Sequence, residues 1–118
     1  MREKIIDSTL EGYLKSDIKL LHLPTDFELE FRGFSKKYYG RYYIKEKKIV
    51  VYILDNNGER LPYHEILDTV LHEALHHYQH YHEIGFIRIK GVMHNLKFNK
   101  MYEEKKSKLI EWEVIPCA

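Results

Sequence analysis

Cysteine is nearly absent from this chain: Cys117 stands alone among 118 residues. A single thiol excludes an internal disulfide and any zinc ribbon built on paired cysteines, and it fits a reducing, intracellular (cytoplasmic) setting. Long apolar runs are missing as well. No stretch approaches the roughly 18 apolar residues that mark a membrane span, and the first twenty residues carry charges throughout, without the apolar centre of a signal peptide. Neither charge sign is in excess: 19 Lys+Arg against 18 Asp+Glu give a formal net charge of +1, so bulk electrostatics names no partner. Repeats, low-complexity segments and an obvious linker are lacking too, and the length predicts one domain over residues 1–118.

What is present is aromatic and apolar material for one core: 44% hydrophobic residues, with 10 Tyr and 5 Phe. Charge is unevenly placed. Residues 36–48 hold six basic side chains and one acidic, residues 55–83 hold six acidic and one basic, and residues 86–110 hold seven basic and two acidic. Such blocks are usually solvated faces. The basic flanks, Lys36, Lys37, Arg41, Lys45, Lys47 and Lys48 with Lys97, Lys100, Lys105, Lys106 and Lys108, also form the one feature that suits a weak association with DNA.

The hydrophobic periods predict an α+β fold. Arg2 to about Leu21 reads as an amphipathic helix with Ile5, Ile6, Leu10, Tyr13, Leu14, Ile18 and Leu21 on one face, stopped by Pro24. Phe27, Leu29 and Phe31 alternate with charged residues as in a half-buried strand. Tyr38 to Ile44 and Lys48 to Leu54 predict two more strands, giving a small, three-stranded, antiparallel-rich sheet. Asp55-Asn56-Asn57-Gly58 is a loop signal. Pro62 suits the first turn of a long central helix, which Gly85 ends after about Glu83. Phe86 to Ile89 is a loop or short strand, His94 to about Ile110 a final helix, and Trp112 to Ile115 a docking tail.

The central helix carries His72-Glu73-Ala74-Leu75-His76. With eight histidines in the chain, an H-E-x-x-H pentad can arise by chance, so its surroundings decide. Ile66, Leu67, Val70, Leu71, Ala74, Leu75 and Tyr78 recur at helical spacing beside it. On that helix, residues four apart lie about 40° and about 6 Å apart, so both imidazoles reach one ion from one side. Zinc would supply acidity, and Glu73 would act as general base on a water at the ion. A catalytic zinc takes three protein ligands, so a third donor is needed. His77 points about 100° away from His76, and His80 continues the same line, which cannot close a tetrahedral corner. His82 falls at the H-E-x-x-H-x-x-G-x-x-H spacing of the metzincins, but Gln79 stands where that pattern has the helix-breaking glycine. His94 is the preferred third ligand: Gly85 ends the helix, Gly91 allows the chain to turn back, and Phe98 with Met101 or Tyr102 would pack behind it.

These segments together resemble the SprT-like zinc metallopeptidase domain. The resemblance runs from about Tyr38 to Tyr102 and is carried by Ile49 to Ile53, by Leu67 to His76, and by Gly91-Val92-Met93-His94-Asn95-Leu96-Lys97-Phe98. Asn95 stands where the family commonly has glycine. The resemblance implies a zincin-like α+β domain in a minimal form without the C-terminal zinc ribbon. It implies one catalytic Zn²⁺ and intracellular hydrolysis of protein or peptide substrates, in some members of proteins bound to DNA. Tyr63, Tyr81 and Tyr102 are candidates to stabilise an oxyanion, and a strand near the cleft could align the substrate. The alternative reading of the same residues is a non-catalytic module that zinc stabilises.

Overall fold

The computed structural model describes residues 4–83 and 96–114. In chain order the elements are β1 (Lys4–Ile5), α1 (Ser8–Leu20), β2 (Glu28–Arg32), β3 (Gly40–Tyr43), β4 (Lys48–Tyr52), α2 (Tyr63–Tyr81) and α3 (Leu96–Glu111). The sheet runs β1-β2-β4-β3. β1 is antiparallel to β2, β2 parallel to β4, and β3 antiparallel to β4. The sheet is therefore four-stranded and mixed, not three-stranded, and the α+β class is the part of the expectation that the structure bears out.

The extra strand comes from the segment expected to begin the first helix. Asp7 caps α1 by accepting the backbone N–H of Leu10 at 3.0 Å, which satisfies one of the donors a helix start leaves open. The residues before that cap are free to extend, and Lys4 and Ile5 pair with Arg32 and Phe31. Ile6 (79% exposed) and Tyr13 (64% exposed) consequently do not join the buried face. That face is Leu10, Leu14 and Ile18, continued by Leu21.

β2 departs from simple alternation. Leu29 and Phe31 are buried as expected, but so is Glu30 between them. Its carboxylate is matched by Arg32 Nε at 2.6 Å and Lys48 Nζ at 3.4 Å, the pairing that a buried charge requires. β3 and β4 form a hairpin whose turn places Lys47 at φ 51. After β4 the Asp55 carboxylate accepts backbone N–H groups from Asn57 and Glu59, and Gly58 takes φ 81, a conformation open to glycine without a Cβ penalty.

α2 covers β3 and β4 and touches both other helices. Ile66, Leu67, Val70, Leu71, Ala74 and Leu75 form its buried stripe and pack with Leu14, Ile18, Ile49, Val51, Phe98 and Leu109 in one core. α2 ends at Tyr81, two residues before the expected end near Glu83, with His82 as its C-cap. Among the described residues of the expected tail, Trp112 is exposed and Val114 rests partly on the core. Gly85, Phe86 to Ile89, Gly91 and His94 lie outside the described residues. No helix among the described residues is long and apolar enough to cross a membrane.

Candidate functional site

α2 presents His72, Glu73 and His76 on the side that meets α3 and the outer strand β3. The two imidazoles lie one turn apart with ring centroids 5.0 Å from each other. Phe98 of α3 backs both: it stacks on His76 at 4.7 Å and meets His72 edge-on at 5.3 Å. Phe98 is thus packed on His72 and His76, while His94, behind which it is expected to pack, lies outside the described residues.

The donor chemistry suits a metal ion. His76 Nδ1 lies 3.0 Å from Gln79 Oε1. An amide oxygen accepts, so Nδ1 carries the proton and Nε2 keeps its lone pair. Fixing the tautomer in this way is how proteins prepare a histidine for ligation. Gln79 is buried, and no signal in the sequence identified it as the orienting group. His94, the preferred third ligand, lies outside the described residues.

Glu73 is mostly buried, and burial pushes its carboxyl up to about 7, with Arg41 opposing the shift weakly. Arg41 is itself held over the rings of Tyr38 and Tyr43 (4.6 and 5.4 Å). A cleft of about 320 Å³ opens beside Glu73, with Tyr38, Tyr39 and Gly40 on one wall and Asp68, Thr69 and His72 on the other. Gly40 sets the width. A Cβ there would stand 2.6 Å from Thr69 Cγ2 and 3.0 Å from the Val50 carbonyl oxygen, so the absent side chain lets β3 lie against α2. Among the described residues β3 is the last strand of the sheet order, and its first residue, Gly40, lines the cleft.

The three candidate tyrosines separate. Tyr63 donates to Asp17, and Tyr81 donates to the Ile44 carbonyl. Tyr102 lines the cleft, faces His72 at 6.2 Å, and donates to Asp68 at 2.5 Å. Burial and the Asp68 carboxylate both keep its hydroxyl protonated.

The other histidines go elsewhere. His80 stacks on Tyr42. His82 does not turn toward His72 and His76: it is the exposed C-cap of α2. Its Nε2 lies 2.9 Å from Asp26 Oδ1, beside the fully buried His77, whose Nε2 lies 2.8 Å from the same oxygen. Sequence spacing does not reveal this second cluster, because Asp26 is distant in sequence and sits in no recognisable motif. Several basic side chains are also paired internally: Lys48 with Glu30, Lys97 with Glu83 and Lys106 with Asp68. No family model, curated protein or solved structure matches the chain.

Proposed function

We propose that the chain is a zinc-dependent metallopeptidase of the SprT-like, zincin type, acting on protein or peptide substrates. One observation carries the reading: two imidazoles one helical turn apart, one with its tautomer fixed by Gln79, flank a carboxyl held near neutrality at the wall of a cleft. His72 and His76 would hold the ion, with His94 as the third donor by resemblance. An ion held there would supply Lewis acidity toward the scissile carbonyl and a bound water.

The remaining work belongs to the chain. Glu73 takes a proton from the attacking water and passes it to the leaving amine. Burial raises that carboxyl in the metal-free chain, which suits a group that must accept a proton and then donate it. The outer edge of β3 offers backbone groups to an extended substrate, which can add as a further strand. Gly40 keeps that edge close to Glu73. Asp68 holds Tyr102 at the far wall.

The test combines zinc stoichiometry with cleavage of an unfolded protein. The expected outcome is one ion at this site and hydrolysis that Glu73→Gln reduces by at least ~100-fold while zinc stays bound. Full activity in that variant would refute the general-base assignment. An ion held without hydrolysis of any peptide, together with a large drop in melting temperature on chelation, would make the ion a structural pin between α2 and α3.

A further inference from the structure

The geometry points to a second divalent-cation site, of zinc type, on a different face of α2: Nε2 of His77, Nε2 of His82 and the carboxylate of Asp26. The three donors lie within 4.8 Å of one another. Both imidazoles aim the same nitrogen at one carboxylate, at 2.8 Å from His77 and at 2.9 and 3.1 Å from His82. Donors around a tetrahedral zinc stand about 3.3 Å apart, so an ion needs the two histidine–carboxylate distances to lengthen by a few tenths of an ångström. That expansion falls on Asp26 and His82, which are partly exposed, while His77 is fully buried and stays fixed. The exposed side leaves room for a water as fourth ligand.

The surroundings are those of a ligating histidine. His77 Nδ1 lies 2.7 Å from the Tyr42 hydroxyl, and Phe27, Tyr42 and Tyr81 enclose the ring. Without an ion, His77 donates from Nε2 to Asp26 and accepts from Tyr42 at Nδ1. With an ion, the cation replaces the Nε2 proton, Nδ1 takes up a proton, and Nδ1–H donates to the Tyr42 oxygen. The imidazole stays neutral in both states, and Tyr42 serves as the orienting partner such ligands usually have. The nearby Lys47 ammonium, which would oppose a cation, is drawn over the Tyr81 ring at 4.5 Å. Asp26 lies just before β2, and His77 and His82 close the end of α2. A bound ion therefore ties the sheet to the helix that carries His72, Glu73 and His76. The site does not depend on the peptidase reading, since it uses none of those three residues.

The test is zinc retention by a tag-free chain carrying His72→Ala and His76→Ala, which removes the first site. One ion retained per chain is expected. Adding Asp26→Asn or His82→Ala should weaken its binding by at least ~100-fold, and Tyr42→Phe by about 10–100-fold. The unmutated chain gives a second measurement: ¹⁵N spectra of the histidine rings should show Nε2 of His77 and His82 shifting with zinc, with the His77 proton moving to Nδ1. No ion retained by the folded variant, or retention indifferent to Asp26→Asn, would overturn the site. If the variant fails to fold, His77 and His82 nitrogens that stay unmoved at saturating zinc would do the same.

Discussion

Gly40→Ala tests how the cleft is built. The added methyl would sit 2.6 Å from Thr69 Cγ2 and 3.0 Å from the Val50 carbonyl oxygen, where ordinary contact begins at 3.4 Å. The Val50 oxygen belongs to β4, the partner of β3, and cannot retreat without lengthening the ladder. Thr69 belongs to α2, whose buried stripe holds it in place. Overpacking of this kind costs about 1–3 kcal/mol. The lower backbone entropy of alanine in the unfolded chain returns about 0.5–1 kcal/mol. The net expectation is a loss of about 1–2 kcal/mol, or about 4–8 °C in melting temperature for a domain of this size. Thr69→Ser supplies the partner variant. It removes the clashing methyl and keeps the hydroxyl that donates to the Glu65 carbonyl. The double variant should regain roughly half the loss, a coupling of about 0.5–1 kcal/mol; the Val50 contact accounts for the rest. Thermal melts of the four proteins give the cycle. A Gly40→Ala chain that melts within about 1 °C of the parent, or a coupling below about 0.3 kcal/mol, would refute the close approach of β3 to α2.

In the metal-free chain, Glu73 should make stability fall as pH rises. Its folded pKa is raised from 4.5 to about 7, so the cost of ionising it grows between those values, up to about 3 kcal/mol; Glu73→Gln, melted in chelator from pH 5 to 8, should lose that slope, and an unchanged slope would contradict the burial argument. Gln79→Ala frees the His76 tautomer and should weaken zinc binding at that site by about 10–100-fold; equal affinity by competition with a chelating dye would deny Gln79 its orienting role. Leu71→Ala, at a fully buried core position, should cost about 2–5 kcal/mol in urea unfolding, and a loss under 1 kcal/mol would mean the stripe of α2 is not in the core. Tyr102→Phe deletes the donor to Asp68 and should cost about 1 kcal/mol, read in the same assay.

The elements legible in the sequence are those whose pattern is local. The 3–4 spacing from Ile66 to Leu75 gave α2, and the β-branched run Ile49-Val50-Val51 gave β4, because each buries a side readable along one segment. β1 was not legible. Lys4 and Ile5 show no strand pattern, and only pairing with β2 makes them one. The parallel relation of β2 to β4 is likewise a tertiary fact. In the site, His72, Glu73 and His76 follow from helical spacing. Gln79 occupies a position noticed for the glycine it replaces, not for the oxygen it offers. Asp26 and Tyr42 are out of reach of any spacing rule, since they approach α2 from segments 51 and 35 residues away from His77.

The histidines of α2 show why adjacent residues can serve separate chemistry. On a regular helix His72 and His76 are about 40° apart, while His77 stands about 100° beyond His76, so His77 turns toward Phe27 and Tyr42, away from Phe98. A regular helix would also set His82 about 140° from His77, too far for a shared partner. The helix stops at Tyr81, and His82 takes φ −128 and ψ −22, which brings its ring to 5.3 Å from that of His77. The break after Tyr81 thus delivers His82 to Asp26. Extending the helix should therefore uncouple the pair. Glu83 N–H now bonds the Tyr78 carbonyl, five residues back, where a continued α-helix would use the Gln79 carbonyl. A variant of residues 82–84 that continues the α-helix should leave zinc binding at His72 and His76 unchanged and abolish the shift of the His82 nitrogen with zinc. Loss of both responses together would mean the two faces are not independent.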